Sequence, residues 1–213
     1  MVHLEVLALT EQEIHAIIWV RSQSLSWINN AIYASPKFVE RCMLWENLKL
    51  IAILHDLPWA LMGDFNEVII EGEKAGGNPI FQRRVRAILD CMNECQMMDL
   101  GFSGPKFSWT NKRELGGLIQ CRLDRVWANP NWKSYFPKAN VTHLARVSSD
   151  HYPLLLNLCP NLTNTSNRPF RFQPMWLSHN DFPAIVRESW VGMEDNLVGA
   201  ITRFTHKAQT WNK

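Results

Sequence analysis

The sequence predicts an α/β fold followed by a short helical extension. Three observations carry that reading. The first 34 residues read as an antiparallel β-meander. Two amphipathic helical segments then flank a short, wholly apolar strand. Beyond Pro160 the short strands stop, and two helical segments follow a polar linker. The chain has 213 residues, 46% of them hydrophobic, which suits one buried core plus an extension better than two full domains.

Leu4–Leu9 and Glu13–Val20 alternate as strands, with Thr10-Glu11-Gln12 as the turn between them. Trp27–Ala34 is the third strand and ends at Ser35-Pro36. Lys37–His55 has helical periodicity, with Phe38, Cys42, Trp45, Leu48 and Ala52 at three- and four-residue steps. Trp59–Met62, just after Pro58, is apolar throughout, as a strand buried on both faces must be. A polar loop with Gly72, Gly76, Gly77 and Pro79 leads to a helix over Phe81–Cys95, whose face is Val85, Ile88, Leu89 and Met92. Met98–Leu100 and Phe107–Thr110 are short strands around a Gly101–Pro105 turn, and Gln120–Ala128 is a strand stopped by Asn129-Pro130. Val141–Ala145 and Leu154–Leu158 close the domain, which is taken as residues 1–159. In 160–213, Asn161–Asn167 reads as linker, and Phe182–Trp190 and Leu197–Trp211 read as helices whose aromatics need a surface to cover.

Composition excludes more than it identifies. A net charge of +2 is too small to argue for nucleic acid by itself. The five cysteines are odd in number and scattered, which points to free thiols in a reducing compartment. Cys91 and Cys95 lie one helical turn apart but lack a partner pair at finger-like spacing, so they read as small apolar residues on a buried face. The residues after Met1 look like a strand and not a secretory leader, and no apolar run approaches the ~20 residues of a membrane helix. The N-x-[ST] triplets at Asn140, Asn161 and Asn164 read as chance matches.

Three segments carry candidate chemistry. Gly63-Asp64-Phe65-Asn66 leaves the buried strand, and residues two apart on a strand face the same way. Asp64 and Asn66 would thus present a carboxylate and an amide together; the alternative is an Asp-x-Asn turn that caps the strand. Ser148-Ser149-Asp150-His151-Tyr152-Pro153 sets an Asp beside a His before the last strand, either as a ligand and proton carrier or as a polar turn. Arg122-Leu123-Asp124-Arg125 offers a carboxylate that could orient a histidine, or a cross-strand ion pair.

In combination and order, with Ala31-Ile32-Tyr33-Ala34-Ser35-Pro36 ahead of them, these segments resemble the endonuclease/exonuclease/phosphatase superfamily, which includes apurinic/apyrimidinic endonucleases and deoxyribonuclease I. The connecting text resembles more closely the nuclease domain of plant LINE-type (non-LTR) retrotransposons: PWALMGDFNEV, MDLGFSGPKFSWTN, IQCRLDRVWANP and VTHLARVSSDHYPLLL. RPFRFQPMWLS, at 168–178, resembles the stretch that joins nuclease to reverse transcriptase. The resemblance implies a two-sheet α/β sandwich flanked by helices, with a site at one edge between the sheets. It implies Mg²⁺-dependent hydrolysis of DNA phosphodiesters, target-site nicking and a nuclear location. Carried over by motif, Asp64 is the base that activates water and Asn66 positions that water and the phosphate. His151 contacts the scissile phosphate, Asp124 holds and polarises His151, Asp150 helps at the metal, and Tyr33 faces the phosphate or the leaving oxygen.

The sequence departs from the family's pattern in two places. The family opens with a strand carrying an Asn and a later strand carrying a metal-binding Glu, both ahead of the meander that starts this sequence. Glu5, Glu11 and Glu13 lie in the meander or its turn and do not replace that Glu. Pro36 stands where DNA-repair relatives carry a polar residue. The expectation is therefore a domain whose first strands are missing and whose metal site is incomplete, weak or inactive as an endonuclease. The alternatives are a non-enzymatic remnant that at most binds DNA, and a phosphatase of the same superfamily. For DNA contact the candidates are Arg83, Arg84 and Arg86 at a helix start, and Arg122, Arg125 and Lys138 near the site, although a solvated helix end explains the first group equally. Trp109 is expected in the core, with base stacking as the alternative.

Overall fold

The structure is a computed structural model that describes residues 2–20, 25–160, 181–193 and 196–211. It divides into two units, residues 1–160 and 161–213. The segments 161–167 and 168–178, expected as linker and as a family-like junction, lie outside the described residues.

Along the first unit run β1 (Val2–Leu9), β2 (Glu13–Val20), β3 (Leu25–Tyr33), α1 (Phe38–Leu54), β4 (Trp59–Asp64), β5 (Lys74–Ala75), α2 (Gln82–Glu94), β6 (Met98–Asp99), β7 (Trp109–Thr110), β8 (Gln120–Cys121), β9 (Asp124–Ala128), α3 (Pro130–Tyr135), β10 (Asn140–His143) and β11 (Leu154–Asn157). The large sheet has the order β1-β2-β3-β4-β9-β6. The β1–β3 meander is antiparallel, β4 joins β3 in parallel through the α1 crossover, and β9 runs antiparallel to β4. Two small sheets, β10-β11 and β5-β8-β7, complete the α/β architecture.

Each face of the large sheet has its own core. On one side Ile28, Ile32, Trp59 and Leu61 pack with Leu44, Trp45 and Leu48 of α1 and Ile88, Cys91 and Met92 of α2. On the other, Trp27, Ala60 and Ala128 pack with Trp132 and Phe136 of the α3 segment and with Leu156 of β11. β4 contributes to both, which is why Trp59–Met62 is apolar throughout. Cys91 and Cys95 are buried with free thiols.

Three details depart from the sequence reading. The buried face of α1 is Arg41, Leu44, Trp45, Leu48 and Ile51, while Phe38, Cys42 and Ala52 are only half-buried. A buried cation on this face displaces the apolar stripe by about one residue. The stretch 120–128 is two strands, because the chain leaves the β5-β8-β7 sheet at Cys121 and enters the large sheet at Asp124. Asn129-Pro130 stops β9 and also starts α3: the Asn129 side chain accepts the Trp132 N–H at 2.8 Å, and Pro130 fits the first helical turn.

In the second unit, α4 (Phe182–Trp190) and α5 (Leu197–Trp211) bury Phe182 and Ala208 against Val186, Phe204 and Trp211. Among the described residues no helix is long and apolar enough to cross a membrane.

All eight residues of β1 are exposed, including Val2, Leu4, Val6, Leu7 and Leu9. The strand is an edge, and its sequence holds neither Pro nor Lys to discourage pairing. Leu4→Lys, opposite Ile18 in register, is expected to reduce self-association in light scattering while changing stability by no more than about 0.5 kcal/mol, as for other exposed positions. Unchanged association would show that β1 is covered in solution.

Candidate active site

Asp64 closes β4 at its C-terminal end, beside Tyr33 of β3 and opposite Asp124 of β9. The preceding Gly63 has φ 138, and a Cβ there would overlap the main-chain oxygen of Ile32. Glycine alone lets β3 and β4 approach closely enough to bring their ends together. Phe65 is fully buried, and its N–H donates to the Leu123 carbonyl at 3.0 Å. Asn66 turns the chain with φ 47, a left-handed conformation that Asn tolerates. Its main-chain N–H donates to Asp64 Oδ1 at 2.8 Å, and its Nδ2 donates to the Ala34 carbonyl at 2.7 Å and to Asp64 Oδ2 at 3.1 Å. The Asp-x-Asn turn and the paired presentation of carboxylate and amide are thus one structure.

His151 arrives from the turn before β11. Its Nδ1 lies 2.9 Å from Asp124 Oδ2, and its Nε2 lies 3.9 Å from Asp64 Oδ2. Three side chains distant in sequence therefore converge, with Asn66 bonded to the first of them. A carboxylate against Nδ1 places a proton there, so Nε2 is the atom free to accept or deliver one.

The electrostatics separate the roles. Burial pushes the Asp64 carboxyl up to about 6, with the like charge of Asp124 adding to the rise, against the Asn66 N–H, His151 and Arg41, which oppose it. The His151 ring is raised above its ordinary value, first by its bond to Asp124 and then by the Asp124, Asp64 and Asp150 charges, against burial. Near neutrality Asp64 is a carboxylate with unusual affinity for a proton, and His151 is biased toward imidazolium.

Two buried ionic clusters hold the loops. Arg41 donates to the Ser35 carbonyl at 2.7 Å and pairs with Glu67 at 2.6 Å. Arg122 pairs with Glu73 and Asp99, each at 2.7 Å. Arg125 pairs with the same two carboxylates, with Asp99 at 2.8 Å. Burial alone would raise the Glu73 carboxyl, but the Arg125 and Arg122 guanidiniums outweigh it and hold it low. Arg122 and Arg125 are therefore enclosed ion-pair partners and not a DNA surface. Arg83 and Arg86 are exposed, and Arg84 lies over the Phe81 ring at 4.8 Å. The sequence reading missed Arg41, Glu67, Glu73 and Asp99; the one signal available was a cation on the apolar face of a helix.

Tyr33 and Asp150 border the cluster, and both are exposed. Tyr33 is 64% exposed and lines a cavity of about 360 Å³ with Gln12, Ser35 and Met43. The Asp150 carboxylate is exposed and accepts the Trp109 indole N–H at 3.1 Å, the bond that chiefly lowers its pKa. Trp109 is half-buried against Cys121, Leu123 and Val68. Among the described residues no group of three or more His, Cys, Asp or Glu could hold a metal ion. With Glu67 and Glu73 taken by arginines, the residues present do not fit a complete Mg²⁺ site on their own.

A family model described as "Endonuclease/Exonuclease/phosphatase family" matches residues 5–151. The chain is similar in structure to the endonuclease domain of TRAS1, a telomere-specific non-LTR retrotransposon, with TM-score 0.59 and 17% identity over 76% of this chain and 70% of that one. It is also similar to the 3′ phosphatase NExo from Neisseria bound to a product DNA hairpin, with TM-score 0.52 and 17% identity over 74% and 70%. No curated protein matches the chain.

The raised Asp64 carboxyl has a stability consequence. Its folded value of about 6 lies above the ordinary 3.8. Folding therefore favours the protonated form; that contribution is present below about pH 4 and is lost as pH rises through 6. Asp64→Asn is expected to raise the melting temperature at pH 7.5, equivalent to about 1–2 kcal/mol, with the gain vanishing below pH 4. A variant less stable than wild type at pH 7.5 would show that the Asp64 carboxylate is well compensated.

Proposed function

This chain belongs to the endonuclease/exonuclease/phosphatase family, and from that premise we propose that it is part of the nuclease of a plant LINE-type retrotransposon. Its reaction is hydrolysis of a DNA phosphodiester. Residues 1–159 are the partial nuclease domain, and 160–213 lead toward a reverse transcriptase. The observation that carries the reading is the convergence of Asp64, Asp124 and His151 at the ends of β4, β9 and the turn before β11. The quoted motifs and the likeness in fold to a retrotransposon endonuclease domain support it.

In this reading Asp64 takes a proton from the attacking water at Oδ2. Its raised pKa suits that task, because a base works best near the ambient pH. Asn66 holds the Asp64 carboxylate through its main-chain and side-chain N–H groups; with the second Nδ2 hydrogen on the Ala34 carbonyl, its Oδ1 is left to accept from the water. His151, with Nδ1–H fixed on Asp124, donates from Nε2 to the scissile phosphate and offsets the charge that grows there. Asp150 and Tyr33 would border the DNA: Asp150 as a carboxylate that would help hold a cation, Tyr33 toward the phosphate or the leaving oxygen.

Mg²⁺ is the cation of this chemistry, and it stabilises charge on the phosphoryl oxygens when bound. The cluster described here needs a further ligand for it, a carboxylate beyond Asp64, Asp124 and Asp150. Nicking by this chain is accordingly weak, and millimolar Mg²⁺ should leave its melting temperature unchanged, because a ligand bound to the folded state alone must stabilise it.

The test is conversion of supercoiled plasmid to open circle with Mg²⁺ and with EDTA. The purified chain is expected to nick poorly. The same chain fused behind the opening strands of a closely similar intact element, with their Asn and Glu, is expected to nick. Asp64→Asn in the fusion should lower that rate by about 100-fold or more, the usual scale for loss of a general base. An unextended chain that nicks as fast as the fusion would remove the incomplete-site reading. A fusion in which Asp64→Asn nicks normally would remove Asp64 as the base. Release of phosphate from a 3′-phosphorylated oligonucleotide without nicking would favour the phosphatase reading.

A further inference from the structure

Asp124 and His151 are 27 residues apart and reach each other from a strand and a turn, so something must hold both. Ser108 lies between the two segments and is fully buried. Its hydroxyl oxygen accepts the main-chain N–H of Leu123 at 2.8 Å and that of Asp124 at 2.9 Å. Its carbonyl accepts the N–H of Tyr152, the residue after His151, at 2.8 Å. Its own N–H donates to the Cys121 carbonyl at 2.9 Å. One residue thus bonds to the chain immediately before Asp124, at Asp124 itself, and immediately after His151.

We propose that Ser108 is a positioning residue that sets the geometry of the Asp124–His151 pair, its hydroxyl fixing the carboxylate's strand and its carbonyl fixing the histidine's turn. The inference rests on the reading of that pair as the working part of the site. The chemistry favours a hydroxyl here. Asp124 follows the point where the chain changes sheets, and the N–H groups of residues 123 and 124 turn to the Ser108 hydroxyl and not to a neighbouring strand. A serine oxygen has two lone pairs, and both N–H groups occupy it. Because Ser108 is fully buried, solvent does not replace the hydroxyl if it is removed. The next two residues continue the shelf: Trp109 Nε1 donates to Asp150 Oδ2 at 3.1 Å, and the Thr110 N–H donates to the Asp150 carbonyl at 3.1 Å. Ser108 also breaks the local pattern, standing as a small polar residue inside the aromatic run Phe107-Ser108-Trp109.

The experiment reads the tautomer of the His151 ring by ¹⁵N NMR of the full chain, at a pH that keeps the ring neutral. A residue that merely fills the core alters stability without moving a proton between ring nitrogens. In the wild type the proton is expected on Nδ1, facing Asp124. In Ser108→Ala the Nδ1–H form should fall toward the level found in Asp124→Ala, and Ser108→Thr, which keeps the hydroxyl, should restore it. Ser108→Cys, close in volume and a weak acceptor, should give a partial loss and serves where Ser108→Ala does not fold. A wild-type tautomer in folded Ser108→Ala or Ser108→Cys overturns the proposal. So does equal loss in Ser108→Thr, or loss of the fold in both Ala and Cys variants, either of which makes Ser108 a packing residue. The readout needs no cleavage, so a fusion that fails to nick DNA would count against the nuclease reading and leave this inference standing.

Discussion

Three buried charges, Glu73, Arg122 and Arg125, and the half-buried Asp99 fix the place where the chain passes from one sheet to another. Arg122 and Arg125 bracket Leu123 and Asp124, and each guanidinium reaches both carboxylates. Glu73 ties in the loop after β4, and Asp99 ties in β6. Such a network adds little net stability over a well-packed apolar substitute, because desolvation offsets most of the attraction. Removing one member is another matter, since the charges left behind have no water to turn to; costs of about 3–5 kcal/mol are usual. What the network confers is geometry. It fixes the bend that points the Asp124 carboxylate at His151, and the rest of the site is built onto that bend.

The same constraint explains why Arg122 and Arg125 do not serve as a DNA surface. A guanidinium that satisfies two carboxylates in the interior has no donors aimed outward, and pulling it out would strand Glu73 and Asp99 together. Arg41 repeats the arrangement on a smaller scale, with Glu67 as its counter-charge and Ser35 as its acceptor. It also lies near enough to oppose the rise in the Asp64 carboxyl. Arg41, Arg122 and Arg125 are thus committed to carboxylates of the fold itself.

The elements with the strongest periodicity were legible in the sequence. The meander, the apolar run Trp59–Met62 of β4 and the faces of α2 follow from alternation, apolar continuity and helical spacing, and the family's fold follows from the order of its motifs. Asp64, Asn66, Asp124 and His151 could be named because each stands in a short motif of unusual composition. The ionic clusters were not legible, since a buried Arg looks like a solvated one until its partner is placed. Glu73 lies 52 residues from Arg125, and no local pattern links them. The break at Arg122–Leu123 was hidden for a related reason: 120–128 alternates like one strand, and only the competition between two sheets divides it. The rotation of the α1 face by about one residue follows from the same blindness to Arg41.

The exposed β1 edge and the charge balance of the site are separate problems. β1 and β4 are three strands apart in the large sheet, and neighbouring strands lie about 4.8 Å apart, so roughly 14 Å separates them. A segment that paired with the outer edge of β1 would bury Val2, Leu4 and Val6 without bringing an oxygen to Asp64. A carboxylate that joined Asp64 and Asp124 would have to come over the ends of β3 and β4, where Tyr33 stands exposed. The two requirements differ in chemistry as well. The edge calls for backbone donors and acceptors and apolar side chains; the site presents a carboxylate already made reluctant to ionise by burial. Pairing at the β1 edge and the charge balance of the site are therefore set by different contacts, and a gain in one does not imply a gain in the other.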